Sequence, residues 1–195
     1  MGGRTFLTTL FFGKEAAARR REARDSRIRD LPDRKLMAEV WIPAFAAEGG
    51  RILWVGCRKY TQADYPALEA SGAQVWTTDI DPEAAPYGHG ERHRTGDVCE
   101  IDRVFPDMIF DAILCNGVLG YGVDAVEQQG RALEAMAAIL KPGGRLLLGW
   151  NTDKIEDPLA ANILAPWFEP VEFAGQSSRV RFDSVTHVYD SLKRR

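Results

Sequence analysis

The sequence predicts one doubly wound α/β sheet, mostly parallel, with an antiparallel strand pair near its C-terminal end and helices ahead of it. Three observations carry this expectation. Short apolar runs recur at Arg51–Gly56, Ala73–Asp79, Phe110–Asn116 and Arg145–Trp150. Continuous runs of this length suit strands buried on both faces of a parallel sheet. Helix-patterned stretches separate them, at Asp64–Ser71 and Ala125–Leu140, and strand–helix alternation builds an open parallel sheet. The tail then changes character: after Trp167-Phe168 and Val171-Glu172-Phe173, Ser184–Asp190 alternates as a half-buried strand does.

The bulk properties exclude several classes. A chain of 195 residues fits one domain and can bury a core without disulfide or metal support. Its 45% hydrophobic and 27% charged residues are ordinary for a soluble globular protein. No apolar run approaches the ~20 residues of a membrane span. A net charge of -3 gives no reason to expect nucleic acid as the main partner. Cys57, Cys99 and Cys115 are scattered, which suggests neither a disulfide framework nor a zinc site. No secretory pattern is visible at the start, so the cytoplasm is the expected compartment. Nothing in the composition reports oligomeric state, and a homo-oligomer stays open.

The first fifty residues are helical in pattern. Lys14–Arg29 carries Arg19, Arg20, Arg21, Arg24, Arg27 and Arg29 among alanines and acids, all good helix formers apart from the aspartate. A solvated face is the plain reading; a lid or a contact for an anionic substrate is the alternative. A second helix is expected over Asp33–Ala47, with Leu36, Val40, Ile42 and Phe45 near helical spacing and Glu48-Gly49-Gly50 ending it. Residues 1–50 therefore divide off as a helical segment on the lid or substrate side, and 51–195 as the ligand-binding domain. Lys141-Pro142-Gly143-Gly144 should stop the helix before the fourth run.

In an open α/β sheet, ligands bind beyond the carboxyl ends of the strands. That rule selects Gly56-Cys57-Arg58-Lys59-Tyr60-Thr61 after the first strand and Asp79-Ile80-Asp81 after the second. It also selects Gly96-Asp97-Val98 after a short third strand near Arg92–Thr95, and Asn116-Gly117-Val118 after the fourth. Asp79 lies about twenty residues past Gly56, close to the spacing by which nucleotide-binding sheets place an acid on a ribose. Asp97 is placed to accept from an adenine amino group, with the Val98 main chain near a ring nitrogen. Taken singly, each aspartate also reads as a turn or cap residue.

These segments resemble the class I S-adenosylmethionine-dependent methyltransferases, which are Rossmann-like. The resemblance runs from Arg51 to Trp150. Ile52–Cys57, Val75–Asp81, Gly96–Val98 and Phe110–Ile113 match the family's successive motifs, and Leu140-Lys141-Pro142-Gly143-Gly144 entering Arg145-Leu146-Leu147 is the most specific match. The family's last strand, inserted antiparallel, suits the tail. The resemblance implies S-adenosylmethionine as cofactor and S-adenosylhomocysteine as product. It implies cofactor contacts from Gly56, Cys57, Arg58, Tyr60, Thr61, Asp79, Ile80, Asp97, Val98, Asn116, Gly117 and Val118, and methyl transfer to a small-molecule or sugar acceptor.

One departure stands out. The family's first loop is rich in glycine, and here Gly56 alone remains. Either side chains hold the methionine end, with Arg58 or Lys59 on its carboxylate and Tyr60 or Thr61 hydrogen-bonding it, or the site no longer binds cofactor and the fold serves as a scaffold. A nicotinamide oxidoreductase would need G-x-G-x-x-G, which is absent. Tyr121, in a glycine-rich stretch after strand four, is expected near the reactive methyl. His89, His93 and His187 read as packing or surface residues before they read as bases. Asp124, Asn151 and Asp153 lie on the acceptor side. No metal site and no catalytic base is assigned.

Overall fold

The computed structural model describes residues 27–195. Most of the helix expected over Lys14–Arg29 therefore lies outside the described residues. Helix α1 (Pro32–Leu36) runs through a π-helical turn, Met37–Trp41, into α2 (Ile42–Glu48). The wide turn has a cause in Pro43. A proline lacks the N–H of a helical bond and its ring crowds the carbonyl of the preceding turn. Here the Ile42 N–H reaches back to Met37 O, which widens the helix just ahead of it. Gly49, at φ +69°, ends α2 as expected.

Then come β1 (Arg51–Val55), α3 (Asp64–Glu69), β2 (Gln74–Asp79), β3 (His93–Thr95) and α4 (Ile101–Val104). The chain continues through β4 (Phe110–Asn116), α5 (Val126–Ile139), β5 (Leu140–Asn151), β6 (Phe168–Pro170), β7 (Arg179–Arg181) and β8 (His187–Arg194). The strand order is β3-β2-β1-β4-β5-β8-β6, with β7 also on β8. Pairs from β3 to β5 are parallel. β8 runs antiparallel to β5 and is wedged between β5 and β6. The fold class read from the sequence is the fold observed.

Residue alternation divides the core into two layers. Leu53, Val55, Ile113, Cys115, Leu146, Leu148 and Trp150 face α5 and its Leu133, Met136 and Ile139. Ile52, Trp54, Leu114 and Leu147 face the other way, onto Trp41, Ile42, Phe45, Tyr65 and Leu68. Both faces of the sheet are thus dry, which explains the unbroken apolar runs.

The tail differs from expectation, and the LKPGG segment ends the helix as expected while also pairing as strand. β8 is buried from His187 through Leu192, with no alternation, because it has left the sheet edge and is flanked on both sides. Three short strands, not two, make up the tail. α5 stops before Lys141-Pro142, and strand pairing resumes at once with Leu140 against Phe110. The register then jumps to Arg145 against Ala112. Asp111 fills that jump, accepting from Arg51 N–H at 2.7 Å and Lys141 Nζ at 2.6 Å. Burial alone would raise the Asp111 carboxyl, but these bonds hold it below its ordinary range. A Cβ at Gly50 would sit 2.3 Å from Asp111 Oδ2, so glycine is required there.

A buried ionic knot fastens β8. Asp190, 1% exposed, accepts from Trp150 Nε1 at 2.8 Å and from Arg179 Nε at 2.6 Å. Arg179 also pairs with Asp157. Asp190→Ala leaves the Trp150 indole N–H without its acceptor and Arg179 with Asp157 alone, and should lose about 1–3 kcal/mol of stability in urea unfolding. Arg103→Ala removes an exposed i,i+3 pair with Glu100 and should lose no more than about 0.5 kcal/mol. Equal losses would show that the knot does not fasten the strand.

Candidate functional site

The carboxyl ends of β1, β2 and β4 open into a chain of three adjoining hollows. The first, about 620 Å³ and open to solvent, is lined by Gly56, Arg58, Asp79, Ile80, Asp97, Val98, Val118, Tyr121 and Gln128 among others. The second shares Gly56, Arg58, Gly117 and Tyr121 with it and adds Arg34, Trp54, Tyr60, Thr61, Asn116 and Asn151. The third continues beneath α1 to Arg29, Met37, Glu39 and Asp64. Of the residues expected at a cofactor, all but Cys57 line the first two hollows.

Cys57 lines neither hollow. Its side chain is fully buried, turned beyond the Gly56 bend so that Sγ lies 3.6 Å from Thr78 O and 3.9 Å from His93 Nδ1. Burial pushes the thiol up to about 11. The main chain of Cys57 does reach the site: its N–H donates to Asp79 Oδ2 at 2.7 Å. Arg58 Nη1 donates to the same oxygen at 2.9 Å and to Cys57 O at 2.6 Å. The Asp81 N–H donates to Oδ1 at 3.0 Å. Asp79 is 6% exposed, and these three donors fix its carboxylate at the mouth between β1 and β2.

The first loop holds its shape by side chains where the family uses glycine. Thr61 Oγ1 donates to Arg58 O at 2.8 Å and accepts from Arg58 N–H at 3.1 Å. Trp54 Nε1 donates to Gly56 O at 2.9 Å. Gly56 itself turns at φ +89°, and a Cβ there would press on Val118 Cγ2 at 3.3 Å. Across the first hollow, Asp97 Oδ1 accepts from Cys99 N–H at 2.9 Å, capping the short turn after β3. Exposed Ile80 with Val98 and Val118 supplies apolar walls between the two acids. This pattern of two acids and flat apolar walls fits an adenosine.

The second hollow rests on a row across three strands. Asn116, Gly149 and Tyr189 stand side by side in β4, β5 and β8. Because Gly149 has no side chain, Asn116 Nδ2 donates across it to Tyr189 Oη at 3.3 Å. Tyr189 Oη in turn donates to Asp33 O at 3.3 Å, tying α1 to the sheet. His187 meets Asn151 Oδ1 through Nδ1 at 3.2 Å, while Asn151 Nδ2 donates to Thr186 Oγ1 at 3.0 Å. That orientation puts the proton on Nδ1 and leaves Nε2 an acceptor. A Cβ at Gly149 would lie 2.4 Å from Asn116 Oδ1 and 2.8 Å from His187 Nε2. Burial, then the nearby Arg34 charge, pushes the imidazole down to about 3.

Arg34 is the functional candidate that sequence reasoning missed. It projects from α1 into the second and third hollows, 5.5 Å above the Tyr60 ring. Its Nε lies 3.5 Å from Asp33 Oδ2. No motif marks it, because its place depends on how α1 packs over the first loop. The other histidines lie off these hollows. His93 Nδ1 meets Thr77 Oγ1 at 3.0 Å, and His89 Nε2 meets Glu69 at 3.0 Å. Tyr121 does stand at the junction of the first two hollows, with Lys154 Nζ 5.6 Å from its ring centre. Asn151 lines the second hollow; Asp124 and Asp153 line none of the three.

Fold and site together define an open α/β nucleoside-binding domain. The family model described as a methyltransferase domain matches residues 53–148. The ubiquinone/menaquinone biosynthesis C-methyltransferase UbiE of Pseudoalteromonas translucida is 35% identical over 94 residues, covering 44% of this chain and 36% of that one. The UbiE of Burkholderia mallei is 26% identical over 153 residues, covering 74% and 60%. The chain thus spans less than two thirds of the length of these relatives. Among solved structures, the N-methyltransferase NodS from Bradyrhizobium japonicum superposes with a TM-score of 0.64 at 18% identity, covering 85% of this chain and 98% of that one. A 1,6-didemethyltoxoflavin N1-methyltransferase from Burkholderia thailandensis, with its substrate and S-adenosylhomocysteine bound, gives 0.60 at 20% identity, covering 100% and 91%. These comparisons support a class I S-adenosylmethionine-dependent methyltransferase.

The state of His187 is testable through stability. Its imidazole, ordinarily near 6.5, is held neutral in the fold down to about 3. Below about pH 6.5 the unfolded chain takes the proton first, so this contribution is lost as pH falls through that window. Urea unfolding from pH 7 to pH 4 should show wild type losing stability relative to His187→Gln, with a slope approaching about 1.4 kcal/mol per pH unit. A constant difference between the two proteins would place His187 in contact with solvent.

Proposed function

We propose that this chain transfers a methyl group from S-adenosylmethionine to a small-molecule acceptor. The observation that carries the reading is Asp79. It is a near-buried carboxylate fixed at the end of β2, facing a hollow whose far wall carries Asp97 and Val98. In this reading Asp79 receives the ribose hydroxyls, Asp97 and the Val98 main chain meet the adenine, and Ile80 and Val118 sandwich it. The methionine end lies along Gly56, Arg58, Tyr60, Thr61, Asn116 and Gly117. Residues 51–195 form the cofactor domain, and the helices before residue 50 close the substrate side, since Arg34 reaches the second hollow from α1.

Bound there and held by Asp79, Asp97 and the first loop, S-adenosylmethionine would supply an electrophilic sulfonium methyl group at the second hollow. The side chains around the second hollow contribute alignment and exclusion of water. Among the described residues its lining holds no carboxylate and no imidazole; its polar groups include Arg34, Arg58, Tyr60, Thr61, Asn116, Tyr121 and Asn151. Such a lining suits a polar acceptor, a sugar or a small heterocycle, whose nucleophile is an amine or an oxygen already ionised beside Arg34. The names of the relatives span carbon and nitrogen methylation of small molecules, which supports the substrate size and leaves the attacked atom to experiment.

Calorimetric titration tests the reading. S-adenosylmethionine and S-adenosylhomocysteine should bind and NAD should not. Asp79→Ala should lose roughly tenfold or more in affinity, since hydrogen bonds to a charged group are worth about 1.5–3 kcal/mol each. Binding of NAD, or wild-type affinity in a folded Asp79→Ala protein, would contradict it.

A further inference from the structure

Arg58 stands on the ground that a ribose needs. A carboxylate offers about four acceptor positions. On Asp79, Cys57 N–H and Arg58 Nη1 take Oδ2, and Asp81 N–H takes one position on Oδ1. About one position is left, yet a ribose diol brings two hydroxyls. Cys57 and Asp81 donate from the main chain and cannot withdraw without unmaking the strand ends. Arg58 donates from a side chain that is 55% exposed, and it lines both the first and the second hollow. It can leave Asp79 and remain inside the site.

Resting on the function proposed above, we infer that Arg58 exchanges one carboxylate for another and thereby sets ligand specificity. When ribose hydroxyls take over Asp79, the guanidinium turns into the second hollow and pairs with the α-carboxylate at the ligand's methionine end. The charge of Arg58 is compensated before and after, and so is the charge of Asp79, first by Arg58 and then by hydroxyl donors with the two main-chain N–H groups. A nucleoside that carries its own carboxylate restores what it breaks. A nucleoside without one, such as 5′-methylthioadenosine, breaks the Arg58–Asp79 pair and returns nothing. The substituted first loop is then a selectivity device, built where a glycine-rich loop would have no side chain to move.

The test crosses two ligands with one substitution. Affinities of S-adenosylhomocysteine and 5′-methylthioadenosine are measured calorimetrically on wild type, Arg58→Gln and Arg58→Lys, with thermal melts confirming that each protein folds. Arg58→Gln should weaken S-adenosylhomocysteine by about tenfold, the value of one hydrogen bond between charged groups. The same substitution should tighten 5′-methylthioadenosine by about two- to fivefold, the value of a partly exposed ion pair. Arg58→Lys keeps the charge and should keep the wild-type preference for the carboxylate ligand. If Arg58→Gln tightens both ligands, Arg58 merely blocks the site and the exchange is overturned. If it weakens both, Arg58 merely braces Asp79, and the exchange is again overturned. Wild-type protein that binds neither ligand overturns the methyltransferase reading itself, and this inference with it.

Discussion

The carboxylate of Asp79 is where the fold and the site become one object. β1 and β2 run parallel, with Val55 beside Thr78, so their ends leave main-chain N–H groups facing the same opening. Gly56 N–H continues the ladder onto Thr78 O. The next N–H, that of Cys57, has no strand partner and turns to Asp79. A buried donor without an acceptor would cost about 1–3 kcal/mol, so the acid stabilises the turn that forms the site wall. The same carboxylate also draws in Arg58, which orders the first loop without further glycines. The shape of the site wall therefore depends on one side chain, and in the proposed function the affinity of a ligand at Asp79 is set against the contacts it already makes.

The remaining geometry follows from where side chains are missing as much as from where they stand. Gly149 leaves a lane between β4 and β8 through which Asn116 reaches Tyr189, and Tyr189 reaches α1. By this relay the antiparallel strand β8, remote from the adenosine side, positions both the helix that carries Arg34 and the amide at the end of β4. β8 can serve in this way because Arg179 and Trp150 neutralise Asp190 inside the sheet. Asp64, at the edge of the third hollow, is pushed up to about 6, chiefly by burial against the pull of Arg29 and Arg34. That floor therefore changes charge near neutral pH, close to the side from which an acceptor would enter.

The apolar runs that became β1, β2, β4 and β5 were legible because each is buried on both faces, and a doubly buried strand needs no polar interruption. Asn116 was legible for a related reason, as the first polar residue after such a run, while Asp79 and Asp97 were read from their places after the second and third strands. The failures are as physical. Cys57 sits inside a matching motif, but motif position does not say which way a side chain turns, and beyond the Gly56 bend its Sγ packs against Thr78 O and His93. Ser184–Asp190 alternates in sequence, yet Asp190 is buried because Arg179 comes from another strand to meet it. Arg34 left no trace, since its role comes from the packing of α1 over Tyr60 and not from any local pattern.

A crystal structure of the protein grown with S-adenosylhomocysteine addresses the central claim most directly. The expected density places both ribose hydroxyls within hydrogen-bonding distance of Asp79, the adenine between Ile80 and Val118 with its amino group at Asp97, and the methionine end toward Asn116. A nucleoside bound elsewhere, or a ribose that leaves Asp79 to its present partners and touches neither oxygen, would contradict the account.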